Sequence, residues 1–190
     1  MRKLRLIEHI TLDGVIRHSA DGGDFPYSDW TAPYRSPGRD AMLAAYGTFD
    51  LLLGRRTYDL WSTFWPKAPS SPMGDRLNAA KKFVVTHRPE SLAWGPFEAV
   101  TDLVEGVRRI KSQAGPDLAL SGSSTLTSPL LEHGLADELL LAVSPIVLGT
   151  GKRIVADRTP ARSFELVGTQ SFPSGIIFNT YKLAGPLKAA

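Results

Sequence analysis

LLLGRRTYDLW, from Leu51 to Trp61, is the stretch that decides the fold. Three consecutive leucines follow Asp50 without alternation, the pattern of a strand buried on both faces of a largely parallel sheet. Gly54 ends the run. From Arg55 to about Thr63 the chain carries Leu60 and Trp61 at helical spacing, with Phe64 just beyond, so the glycine marks a tight strand-to-helix turn. A helix start leaves its first backbone N–H groups without internal partners and adds the positive end of the dipole, which together favour an anion. Arg55, Arg56 and the Thr57 hydroxyl are suited to phosphate oxygens, a guanidinium best of all. The competing reading is a surface turn with two solvated arginines.

Two further turns of the same kind lie downstream. KFVVT (Lys82 to Thr86) reads as a short buried strand ended by His87, Arg88 and Pro89. Leu118 to Leu120 is strand-like and runs into Ser121-Gly122-Ser123-Ser124-Thr125 before a helix carrying Leu126, Leu130 and Leu131. In an open α/β sheet all three turns fall along one carboxyl edge, where ligands bind. Gly122 permits close backbone approach, Ser123 and Ser124 offer donors to a pyrophosphate, and Arg88 beside Arg55 or Arg56 suits the 2′-phosphate that separates NADP from NAD.

Around these turns the chain alternates strand and helix. A first strand is expected over Lys3 to Thr11, closed by a turn at Asp13-Gly14. Ser19 to Pro37 is a long loop rich in Gly, Pro, Asp and aromatics, and a helix runs from Ser36 or Pro37 to about Tyr46 with Met42, Leu43 and Tyr46 on its apolar face. Pro66 to Pro72 is a second loop, followed by a short helix near Asp75 to Ala80. Ala99 and Val100 form a brief strand before a helix from Leu103 to about Gln113. Gly134 caps the helix after the Gly-Ser turn. Beyond Asp137 come ELLLAVSPIVLG and then Phe164 to Phe172 and Ile176 to Leu183, split by Pro173-Ser174-Gly175 as a hairpin. The expectation is one α/β domain over residues 1–190, without repeat or linker.

Composition fits a globular chain: 43% hydrophobic and 22% charged residues indicate neither disorder nor a membrane span. The net charge of +3 is spread without a basic run, so no nucleic-acid track is expected. The absence of cysteine removes disulfides and thiolate chemistry. His9, His18, His87 and His133 lack ligand spacing, so no metal site is expected. Glu8 and His9 break the first apolar run, which makes a poor signal peptide, and a cytoplasmic protein is expected. LGTGKR (Leu148 to Arg153) is read as a loop between strands, because Ile146 stands where a phosphate loop needs its first glycine and Arg153 replaces its Ser/Thr. No GxGxxG follows the first strand and no serine sits in a GxSxG elbow.

TLDGVI (Thr11 to Ile16), LLLGRRTYDLW, VVTHR, SGSSTLTSPLLEHGLADEL and PIVLGTGKR together resemble the dihydrofolate reductase-like family that includes the C-terminal reductase domain of riboflavin biosynthesis. The resemblance spans nearly the whole chain. It implies a three-layer α/β fold with a central, mostly parallel sheet of eight or nine strands, flanking helices and a C-terminal antiparallel hairpin. It also implies NADPH along the carboxyl edge, hydride transfer to a small acceptor, and a homodimer. Position by position it carries over Gly54, Arg55, Thr57, Thr86, Arg88, Gly122, Ser123, Ser124 and Thr125 as cofactor contacts, with Arg56 added from the turn itself. The family often has two or three consecutive glycines where this chain has Ser121-Gly122-Ser123.

On the acceptor side, Asp13 matches the Leu-Asp-Gly of riboflavin-type reductases, its competing role being an Asx cap on its own turn. Asp40 lies two residues nearer the glycine than the acid of true dihydrofolate reductases, its competing role being a solvated carboxylate in a first helical turn. Asp13, Asp40 or water would supply the proton. Trp30, Tyr34, Trp61 and Trp65 are candidates to stack on a flat acceptor, against the alternative of filling core or interface. The expected activity is NADPH-dependent reduction of a small heterocyclic or ribosyl C=N or C=O acceptor. The rival readings are a non-catalytic NADP-binding dimer and a reductase using another redox nucleotide such as flavin mononucleotide. The three C-terminal strands, with Leu139, Leu140 and Leu141, are the expected dimer seam.

Overall fold

The structure is a computed structural model that describes residues 1–16, 25–38, 40 and 47–187. The leucine run becomes the inner strand of an eight-stranded sheet. In chain order the strands are β1 (Leu4–Thr11), β2 (Phe49–Gly54), β3 (Lys82–Val85), β4 (Phe97–Val100), β5 (Asp117–Ser121), β6 (Glu138–Ser144), β7 (Arg162–Ser171) and β8 (Ile177–Pro186). Their order across the sheet is β4-β3-β2-β5-β1-β6-β8-β7. Pairings from β4 to β6 are parallel, and β8 joins β6 and β7 antiparallel. This is the expected mostly parallel sheet with a C-terminal hairpin.

Helices α1 (Arg55–Phe64), α2 (Pro72–Ala79), α3 (Leu103–Ser112) and α4 (Ser124–Glu132) cover its two faces. Leu51 and Leu53 face a core with Tyr58, Leu77 and Trp94 under α1 and α2. Leu52 faces the opposite core with Leu4, Leu6, Leu120, Val107 and Leu130 under α3 and α4. A run without alternation is thus split between two apolar layers.

Local chemistry sets the ends. The Ser71 hydroxyl accepts from Gly74 N–H with Pro72 in the first turn, so α2 starts three residues earlier than Asp75. Asp102 caps α3 by accepting from Glu105 N–H. Tyr58 secures α1: its hydroxyl accepts from the N–H groups of Ala93 (2.9 Å) and Trp94 (2.6 Å). Helical backbone begins at residues 37 and 38, while the apolar face expected at Met42, Leu43 and Tyr46 lies outside the described residues. The Leu139–Leu141 run needs less cover than expected. Leu140 is fully buried and Leu139 packs on the α3–α4 core.

Candidate functional site

The strand order sets β3, β2 and β5 side by side, so the turns that follow them are neighbours. Side chains then join them. The Ser123 hydroxyl accepts from Gly54 N–H at 2.8 Å and donates to the Thr57 hydroxyl at 2.9 Å, tying the β5–α4 turn to the β2–α1 turn. Arg55 donates to the Arg88 carbonyl at 2.9 Å, and its Nε holds Asp59 at 2.8 Å. The Thr86 hydroxyl accepts from Arg88 N–H at 3.0 Å and lies 3.5 Å from the Arg55 guanidinium.

The residues expected to share a rim do share one, but their tasks divide. Ser123, Arg55 and Thr86 hold the turns in place. Arg56, Arg88 and Thr125 stand exposed on the outer surface, with Ser124 buried at the start of α4. Gly122 has φ +65°, and a Cβ there would lie 3.3 Å from the Thr57 hydroxyl, so both conformation and closeness demand glycine. Ser123 is left-handed as well, at φ +53°.

A feature read as a plain loop adds to this rim. Residues of the LGTGKR stretch fold back over α4, where Lys152 and Arg153 line a cavity of about 320 Å³ with Ser124, Thr125, Gly151 and Asp157. The failed phosphate-loop spacing concealed them: their contribution comes from lying across from a helix start. No cluster of potential metal ligands occurs among the described residues, and no helix among them is long and apolar enough to cross a membrane.

The acid candidates separate. The Asp13 carboxylate accepts from the Thr11 hydroxyl (2.6 Å), Gly149 N–H (2.8 Å) and Leu148 N–H (3.2 Å). The Thr11 hydroxyl first, then these N–H groups, hold its carboxyl down at about 2. With these three donors engaged, Asp13 anchors the 148–149 loop, the capping role that competed with its reading as a proton donor. Asp40 is exposed in a first helical turn.

The aromatics separate too. Trp30 is only 6% exposed and packs with Val15 and Phe25, so it fills a satellite core and offers no face to an acceptor. Trp61 and Trp65 stack edge to face at 6.1 Å against the α1–α2 core, and Tyr34 packs on the core of β6 and β8; Ile7 of β1 touches both cores. The Trp65 indole N–H is buried without a hydrogen-bond partner.

Comparison with known proteins follows the same outline. The model of the RibD C-terminal domain family matches residues 2–178. Two Bacillus subtilis (strain 168) proteins, the uncharacterized YyaP and YwjB, are each 28% identical to the chain. YyaP aligns over 188 residues (97% of this chain, 96% of YyaP) and YwjB over 180 (92% and 95%). Among solved structures, a putative riboflavin biosynthesis protein from Shewanella sp. PV-4 superposes with a TM-score of 0.70 at 18% identity, over 96% of this chain and 99% of that one. A pyrimidine reductase-like protein from Corynebacterium diphtheriae gives 0.61 at 13%, over 96% and 92%. At these identities the two structures speak for the fold.

Proposed function

Since the chain belongs to the RibD C-terminal domain family, we propose that it is an NADPH-dependent reductase of a small heterocyclic or ribosyl acceptor with a C=N or C=O centre. The observation that carries this reading is the cross-linked rim, in which two helix starts and an arginine-bearing turn are fixed side by side by Ser123 and Arg55. The residues fit the cofactor's anionic groups. Arg56 and Arg88 would hold a 2′-phosphate, while the starts of α1 and α4, with Thr57, Ser124 and Thr125, would hold the pyrophosphate. Lys152 and Arg153 add positive charge on the far wall of the same cavity. When bound, NADPH supplies the hydride.

The chain's own part is alignment and shielding. Tyr34, Trp61 and Trp65, packed on the two cores that Ile7 also touches, would wall the acceptor from water. With Asp13 committed to the 148–149 loop, the proton comes from Asp40 or from water. We further propose a homodimer. Its seam is the outer hairpin, where Leu166 and Val167 of β7 are each 54% exposed, rather than the leucine run of β6.

Calorimetric titration with NADPH, followed by the loss of its absorbance on adding candidate pyrimidine and ribosyl acceptors, tests the reading. Binding and oxidation support it. Binding with no oxidation by any acceptor favours the non-catalytic dimer, a yellow protein favours a flavin nucleotide, and absence of NADPH binding ends the proposal. A monomeric mass by light scattering would end the dimer assignment.

A further inference from the structure

Strand β2 outlasts its neighbour on one side. Its last register pair with β5 joins Leu51 to Ala119, while its pairing with β3 runs on to Gly54. Gly54 therefore comes level with Gly122, one residue past the end of β5. The Leu51 N–H turns towards β3, where it donates to the Lys81 carbonyl, so by alternation along the strand the Gly54 N–H turns towards β5. No strand continues there, and the N–H of this buried glycine needs another acceptor. The Ser123 hydroxyl supplies it at 2.8 Å.

Two glycines make room for this contact. A Cβ on Gly54 would lie 3.1 Å from the Ser123 hydroxyl oxygen, and one on Gly122 would lie 3.3 Å from the Thr57 hydroxyl. Each turn thus sets a glycine against the other turn's hydroxyl. Ser123 itself is left-handed at φ +53°, a conformation that glycine adopts more readily, so what the serine adds at this position is its hydroxyl.

The direction of the bonds decides what that hydroxyl does. Having accepted the Gly54 N–H, it donates to the Thr57 hydroxyl at 2.9 Å, and its proton has no other acceptor among the described residues. Thr57 then accepts on its oxygen, and no described group takes up its own proton. No side chain caps α1, so this proton stands beside the unpaired first N–H groups of the helix. The chain from Gly54 through Ser123 to Thr57 runs one way and ends in donors alone, which suits a ligand oxygen that only accepts.

We propose that Ser123 is a positioning residue for the rim: it replaces the missing strand partner of Gly54 and commits the Thr57 proton to a phosphate oxygen of the ligand. This differs from the direct cofactor contact that the family resemblance carries over to Ser123. The identity of the ligand rests on the NADPH reading; the chain of bonds does not.

Four variants separate the hydroxyl from the backbone strain. Ser123→Ala removes the hydroxyl and keeps the left-handed cost, Ser123→Gly removes both, Thr57→Val removes the last donor, and Ser123→Ala with Thr57→Val removes the chain. By calorimetry, Ser123→Ala and Ser123→Gly each weaken NADPH about tenfold and Thr57→Val about tenfold or more, while the double variant stays within about twofold of Thr57→Val. By NMR hydrogen exchange on the protein without nucleotide, the Gly54 amide exchanges about tenfold faster or more in both Ser123 variants, and within about threefold of the native rate in Thr57→Val. Additive losses in the double variant overturn the proposal, as do native affinity in Ser123→Gly and unchanged Gly54 exchange in the Ser123 variants. Should no form bind NADPH, the functional reading falls, and the same cycle with inorganic pyrophosphate decides the role of Ser123: coupled losses uphold it, and additive losses or no binding overturn it.

Discussion

The two edges of the parallel sheet handle charge in opposite ways. At the amino edge cations meet carboxylates: Arg2 with Asp50 at 2.5 Å, Lys3 and Arg5 with Glu138 at 2.8 Å, Lys111 with Asp137 at 2.5 Å, and Lys81 and Arg109 with Glu98. At the carboxyl edge, Arg88 and Lys152 stand exposed and form no ion pair among the described residues, and Arg55 spends its guanidinium on holding two turns together. One edge neutralises itself; the other keeps positive charge for something else. Both lie on the same strands, so the difference reflects which side chains terminate them and not the fold.

The largest effect tests the closed edge. Arg2 and Asp50 are nearly shielded from water, so Asp50→Ala strands a buried guanidinium and costs about 3–5 kcal/mol in denaturant unfolding. NADPH affinity of the folded fraction stays unchanged, because the pair lies at the opposite end of the strands.

Lys82 is the exception that sharpens the rule. It is fully buried at the start of β3, donates to the Asn78 carbonyl at 2.6 Å, lies over the Trp94 ring at 4.2 Å and has no carboxylate partner. Burial pulls its amine down to about 8. Between about pH 8 and its ordinary value of 10.5 the unfolded chain binds more protons than the folded one, so stability rises with pH across that window. The gain is of the order of 1–3 kcal/mol by thermal or denaturant unfolding, and Lys82→Met flattens it.

At the open edge, Arg88→Ala leaves the unfolding midpoint nearly unchanged and weakens NADPH by roughly tenfold to hundredfold, with a smaller loss for NADH. Equal losses for both nucleotides would remove the 2′-phosphate from Arg88. The smallest effect belongs to Asp13→Asn: exchange of the Leu148 and Gly149 amides quickens while turnover at neutral pH stays within a few-fold, measured by hydrogen exchange and steady-state rates. A collapse of turnover with affinity intact would restore Asp13 as the acid.

Much of this was legible in the chain. The unalternating Leu51–Leu53 run announced a central strand, and two strand-turn-helix junctions with the strand-ending turn at His87-Arg88 announced the rim, because these signals are local. The Pro-Ser-Gly break likewise announced the β7–β8 hairpin. The bonds that join the turns could not be read, since Ser123 to Gly54 spans 69 residues and Arg55 to Arg88 spans 33. Lys152 and Arg153 were passed over because their motif fails as a phosphate loop, and only the fold shows them across from α4. Trp30 illustrates the reverse error, for aromatic character alone does not separate a loop's own core from a ligand wall.

The strand order β3-β2-β5 also acts as a ruler. Adjacent strands are held about 4.8 Å apart by their backbone ladders, so the outer two of the three turns sit about 10 Å from each other whatever their side chains do. A molecule is measured by that rim before it is recognised by it: the spacing between its negative groups decides whether it can engage all three turns, and the arginines then choose among those that span the distance.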